Sequence, residues 1–312
     1  MCFFLQSVSV FFVILGMILV GYFLARAGWF DEKSSKLIAR LVTQVALPCY
    51  MLDTITRDFT TAELKRLLPD LKFPVVSMLI LFGISVAVAR LIRIRHSRRG
   101  IFESMFFNSN TVFIGLPINM ALFGDKSLPY VLVYYMANTT FFWTLGVYLI
   151  KRDGNSDEAF SWTETLKKVF SPPLLGFILA VILVLLHVKL PGFLMSDFSY
   201  IGGLTIPLSM IFIGIAIQGA GLRQMRLSRY SVGILVGRFI LAPILMSALV
   251  LPSPMPVLMK QVFILQSAMP VMTNAPVVAK LYGADADYAA LMVTETTLLS
   301  LIVIPILMTI LK

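Results

Sequence analysis

Runs of about 20 apolar residues, separated by short polar stretches, recur along the whole of this 312-residue chain. At roughly 1.5 Å of rise per residue, such a run crosses a hydrocarbon layer of about 30 Å as a helix. The pattern predicts ten membrane-spanning helices, near 3–25, 34–52, 73–92, 101–123, 128–150, 172–190, 200–220, 230–251, 257–282 and 286–310. Strict apolar/polar alternation is absent, which argues against a transmembrane β-barrel. Residues 58–72 read as a short amphipathic surface helix or as a plain loop.

The helix-breaking residues add a second pattern. Pro48 and Pro207, Pro117 and Pro276, and Gly124 and Gly283 are each 159 residues apart. The chain thus reads as two copies of one five-span unit: a first repeat at 1–150, a linker at 151–171 and a second repeat at 172–312. An odd number of spans per copy forces the second copy to insert upside down. Inverted repeats with interrupted helices in matching places are a signature of secondary transporters.

Two spans carry the interruptions. Span 4 contains "FFNSNTVFIGLPINMALFG", with Gly115 and Pro117 together and Asn110 shortly before them. Span 9 contains "LQSAMPVMTNAPVVAKLYG", with Pro270, Asn274 and Pro276 together. An interior proline costs a helix about 3 kcal/mol, and in hydrocarbon the freed backbone groups need partners. Pro117 and Pro276 are therefore expected to begin second half-helices, whose N-terminal ends carry partial positive charge and free N–H groups suited to a carboxylate. The alternative is a pair of kinked helices without a ligand.

Composition sharpens this reading. The chain is 58% hydrophobic and only 13% charged, against roughly 25% charged for a soluble domain, which makes it integral to a membrane. The net charge of +10 does not indicate nucleic acid, because the basic residues sit in short loops. They concentrate after the odd-numbered spans, the richest loop holding Arg90, Arg93, Arg95, Arg98 and Arg99. Those loops face the cytoplasm, so both termini are expected outside, at an inner (plasma) membrane. Cys2 and Cys49 form neither a metal spacing nor a disulfide framework.

Other polar residues fall inside the spans. Asn138 and Glu295 occupy similar places in spans 5 and 10, 157 residues apart. A carboxylate inside a span is costly, by about 2.5–3.5 kcal/mol, and is a functional candidate by default. Glu295 is read either as a site for a coupling ion, H+ or Na+, or as a structural partner of Thr294 and Thr296. Lys280 either attracts an anion from the cytoplasmic side or snorkels to the interface. Arg238, within span 8, requires an acidic or carbonyl partner. Glu103 and Asp53 lie at span ends, where solvation is expected. No catalytic set, metal cluster or phosphate loop is visible, so neither an enzyme nor a cofactor is expected.

The segment "NTVFIGLP" at 110–117 resembles the Asn-Thr-x-x-x-Gly-x-Pro signature of the auxin efflux carrier family, and "AMPVMTNAPVVAKLYG" at 268–283 resembles its Ala-x-Pro segment followed by Ala-Lys-x-Tyr. The similarity covers essentially the whole chain. It implies a fold like that of bile-acid symporters and sodium/proton antiporters. Spans 1, 2, 6 and 7 would form a scaffold and homodimer surface; spans 3–5 and 8–10 would form a moving transport domain. Asn110 would contact the substrate carboxylate, and Pro117 with Pro270 or Pro276 would mark the crossover. The chain departs from the plant pattern in lacking a long central loop and in one extra residue between Pro270 and Pro276. Both departures speak against auxin itself.

The expected function is alternating-access transport of a small organic anion, such as malonate or another carboxylate. Asn110, Gly115, Pro117, Asn138, Asn274 and Pro276 would line its site. Two alternatives remain open at this stage: a sodium-coupled symporter of larger acids, and a receptor that binds without transport.

Overall fold

The structure, a computed structural model, describes residues 2–154, 162–219 and 228–311. Among them it is all-helical, with one isolated antiparallel bridge and no named strand. Among the described residues, Thr61–Leu91, Gly192–Gly219, Arg229–Val250 and Ala286–Ile310 are long and apolar enough to cross a membrane. Cys2–Arg26, the first expected span, is an unbroken apolar helix of 25 residues; the remaining expected spans correspond to shorter, interrupted or more polar helical pieces. Residues 61–71 take helical form, as Thr61–Leu67 and the 3-10 turn Leu68–Leu71, which decides for the helix over the loop.

Helix interruption has a recurrent form here. Pro48, Pro117 and Pro243 each come two residues after a π turn, at Val42–Ala46, Thr111–Gly115 and Gly237–Leu241. A proline removes one N–H and its ring crowds the carbonyl four residues back. The wider π turn relieves that crowding, so the chain passes each proline without leaving the helix. Pro207 and Pro276 instead lie in the first turns of Thr205–Gly219 and Ala275–Leu281, where the missing N–H has no intrahelical partner to lose. Gly124 and Gly283, 159 residues apart, both take left-handed backbone (φ 72° and 68°) just after a short half-helix. A side chain at either position is strained even where space is open.

The chain divides into two compact units. The first comprises Met1–Pro69, Val112–Val133 and Phe170–Gly219. Its helices approach closely through glycine. A Cβ on Gly21 would lie 2.2 Å from Ile211 O, and one on Gly214 would lie 2.1 Å from Ile18 O. Helices Cys2–Arg26 and Thr205–Gly219 therefore touch backbone to backbone, the small-residue packing that serves where apolar lipid supplies no net drive for association. Gly176 and Gly202 bring helices Pro172–Leu185 and Gly192–Gly202 against the backbone of Pro48 and Tyr50 in the same manner. An ion network closes this unit at Arg57, which reaches Asp53, Asp58 and Asp125, while Tyr50 Oη donates to Asp125 at 2.7 Å.

The second unit comprises Asp70–Thr111, Tyr134–Val169 and Ala220–Lys312. Glycine again sets the spacing. Gly100 lies against the carbonyl of Leu149, and Gly233 and Gly237 receive the rings of Phe102 and Phe106. Glu103 is 1% exposed and bound by Arg99 (2.8 Å) and Arg152 (3.0 Å). Asp153, beyond the apolar run, accepts from Ile101 N, and its burial raises the carboxyl pKa to about 6. Solvation was expected for Glu103 and Asp53, and the structure corrects both. Both carboxylates are packed inside protein, and arginines replace water as partners: Arg57 and Arg99 one turn along the same helices, and Arg152 from Val147–Asp153.

The close glycine contact yields a direct test. Gly214→Val should lower the melting temperature of the detergent-solubilised protein, an overpacking cost of roughly 1–3 kcal/mol or more. Gly16→Ala, where a Cβ meets nothing within 4 Å, should leave it unchanged. Equal effects of the two substitutions would contradict the backbone-contact account.

Candidate functional site

The candidate site lies in the second unit, where two helices lose their regular form side by side. Helix His96–Phe107 is buried along Gly100–Phe107 and ends at Asn108, which takes an extended conformation (φ −95°, ψ 138°). Helix Val257–Ser267 ends at Ala268 (φ −90°, ψ 9°), and residues 268–274 lead to Ala275–Leu281. The two loosened segments pair as a single antiparallel bridge, Ser109 with Val271. Asn110 N donates to Pro270 O at 2.8 Å.

Several further backbone groups of the crossing meet side chains. The Asn138 amide binds the backbone of Ser109 at both ends: Oδ1 accepts from Ser109 N at 2.8 Å, and Nδ2 donates to Ser109 O at 2.8 Å. It acts as a second strand one residue long. On the other segment, Val271 N donates to Thr296 Oγ1 at 3.3 Å. Gln266 Nε2 donates to Thr111 O at 3.3 Å. Behind the crossing, Gly146 sits where any side chain would meet Ser104 Oγ and Asn108 Nδ2, at 2.8 and 2.9 Å from a Cβ. These pairings follow from the rule that buried backbone groups far from water must be satisfied internally.

Arg238 completes the arrangement. It is fully buried, and its four hydrogen bonds all end on backbone carbonyls. Nε donates to Met269 O (3.1 Å), Nη1 to Phe106 O (3.3 Å), and Nη2 to Ser267 O and Met269 O (2.9 Å). The partner that the sequence required is therefore a set of carbonyls, drawn from the C-terminal ends of both loosened helices.

The structure distributes the sequence-derived candidates unequally. Asn110, Asn138, Pro270 and Glu295 are buried in the second unit, and the first three bear directly on the crossing. Glu295 is 2% exposed and precedes Thr296, which holds Val271. Asn274 and Pro276 flank the start of Ala275–Leu281 and are half-buried, and Lys280 is exposed in that helix's last turn. Gly115 and Pro117 fall with the π turn Thr111–Gly115 and the helix Leu116–Phe123. The loss of helix in this half is at 108–110, ahead of Pro117, rather than at Pro117 itself. There Asn119 Nδ2 donates to Gly115 O at 2.7 Å, supporting the turn. Sequence reasoning missed Ser109 and Gln266 and named Thr296 only as a neighbour of Glu295; the polar triplet Asn108-Ser109-Asn110 within an apolar run was the available signal for the first. Among the described residues, no group of three or more His, Cys, Asp or Glu is placed to hold a metal ion.

If the Asn138 amide holds the crossing, Asn138→Leu should lower the ligand-free melting temperature, since it strands a buried N–H and C=O at a cost of roughly 1–3 kcal/mol each. An unchanged melting temperature together with weaker ligand affinity would assign Asn138 to the ligand instead.

Comparison with known proteins identifies relatives over nearly the whole chain. A family model described as membrane transport protein matches residues 6–308. The chain is 26% identical over 307 residues to an uncharacterized transporter of Methanocaldococcus jannaschii, covering 95% of this chain and 96% of that protein. It is also 26% identical over 312 residues to an uncharacterized transporter of Methanothermobacter thermautotrophicus, covering 97% and 98%. The chain belongs to the membrane transport protein family, which includes the auxin efflux carriers.

Proposed function

We propose that this transporter is a secondary carrier of a small organic anion, such as malonate or a related carboxylate, with its site at the helix crossing. The observation that carries the reading is the paired, unwound backbone at 108–110 and 268–274, buried among polar side chains in an otherwise apolar chain. Irregular backbone at membrane depth is tolerated where it is packed in protein or lines a cavity, and transporters use such breaks as substrate sites.

In this reading the chain forms two inverted five-span repeats with both termini outside, and it works as a homodimer at the cell's inner (plasma) membrane. Asn110 contacts the carboxylate. Asn138 fixes the Ser109 peptide beside it. Asn274 and Pro276 shape the remaining wall, and Lys280 draws the anion from the cytoplasmic side. The bound anion is exposed to each side in turn as the helices carrying the crossing shift against the rest. If the cycle is ion-coupled, Glu295 is the residue that takes the ion.

The test is uptake and counterflow of radiolabelled malonate and related carboxylates in proteoliposomes, with and without sodium and pH gradients. Wild type should show saturable flux. Asn110→Ala should reduce it by more than about tenfold, the loss of one interaction of roughly 1.4 kcal/mol or more in the transition state. Full retention of flux in Asn110→Ala for every transported acid would remove the site from the crossing.

A further inference from the structure

Arg238 occupies a position that the proposed function leaves unexplained. Regular helices end with carbonyls that have no intrahelical partner and carry a partial negative charge. Here two such ends, at Phe106 and at Ser267–Met269, point at one guanidinium. Two converging negative helix ends in an apolar setting repel each other and require a cation between them. In interrupted-helix transporters, half-helix C-terminal ends and unwound carbonyls are where a coupling cation is coordinated. In this chain a covalently attached cation fills the corresponding chemistry.

The fit is specific to arginine. The planar fork places Nε and both Nη groups on three carbonyl-bearing residues at once, which a lysine ammonium on a flexible stem does not reproduce. The backbone is shaped to deliver it. Arg238 lies within the π turn Gly237–Leu241, and the absence of a side chain at Gly237 lets the Phe106 ring close over that turn. A Cβ at 237 would come within 2.6 Å of three atoms of that ring.

We propose that Arg238 is the built-in counter-charge of the crossing. It is a positioning residue that ties the carbonyl ends of both loosened helices and keeps a permanent positive charge beside the anion site. The tie makes the two ends move as one body. The charge offsets the negative helix ends, so that an incoming carboxylate meets no net repulsion and no soluble cation has to be recruited there. The effect on transport rests on the anion-carrier reading; the tie itself does not.

The experiment uses full-length protein and separates the two. Removal of the side chain in Arg238→Ala leaves a guanidinium-shaped gap lined by carbonyls. Its ligand-free melting temperature should fall, and millimolar guanidinium chloride should restore much of the loss, whereas sodium chloride at the same concentration should not. In proteoliposomes, carboxylate flux of the variant should drop by more than about tenfold and recover with guanidinium but not sodium. If Arg238→Ala does not fold, Arg238→Lys keeps the charge and loses the fork: KM for the carboxylate should rise while the maximal rate stays within several-fold. Wild-type melting temperature, KM and flux in an isosteric Arg238→Met would overturn the proposal, as would restoration of Arg238→Ala by sodium as fully as by guanidinium. If wild type carries no carboxylate at all, the anion-carrier reading fails, while the melting-temperature arm still decides the tie.

Discussion

Backbone that leaves its helix in an apolar environment must find hydrogen-bond partners inside the protein. That constraint organises the second unit. At 108–110 and 268–274 the helical ladder is broken, and freed groups are met by the opposite segment or by polar side chains. Asn138 serves Ser109, Thr296 serves Val271, Gln266 serves Thr111, and Arg238 serves Phe106, Ser267 and Met269. An unpaired amide or carbonyl in hydrocarbon costs several kcal/mol, so removing one of these side chains is expected to affect structure first and transport through it.

The same economy separates two uses of proline. At the crossing the helix breaks and opens its backbone beside Pro270. Elsewhere, at Pro48 and Pro243, a π turn lets the helix continue, and glycines bring neighbouring helices into backbone contact. The structure thus keeps most of its helices continuous or gently widened and concentrates polar backbone where it can be recognised by a ligand. This concentration, with a fixed cation behind it, suits a small anion in a membrane transporter.

Much of this was legible in the sequence. The apolar runs gave the helices, the Asn-Thr-x-x-x-Gly-x-Pro segment gave the family, and the polar residues at 110, 138 and 238 marked the second unit. The location of the break in span 4 was not legible. Proline suggested residue 117, but a π turn absorbed it, and such turns leave no residue signature of their own. The partners of Arg238 were hidden for a related reason: they are backbone carbonyls, which every residue possesses, so only the fold reveals which ones converge. Glu103 and Asp53 show the converse. Their positions at the ends of apolar runs suggested water, yet they are buried and paired, with Arg57 and Arg99 one turn away on the same helix and with Arg152 from a distant one.

The central claim is that the unwound crossing is where the transported anion binds. Its most direct test places a cysteine at Thr273, half-buried in the loosened 268–274 segment, in a background with Cys2 and Cys49 replaced by serine. Labelling by a water-soluble thiol reagent is then followed in proteoliposomes that take up the anion. The account predicts labelling that slows in proportion to occupancy by the transported carboxylate, with an unrelated cation having no effect. Labelling that is indifferent to a saturating, transported anion would contradict it and move the site elsewhere.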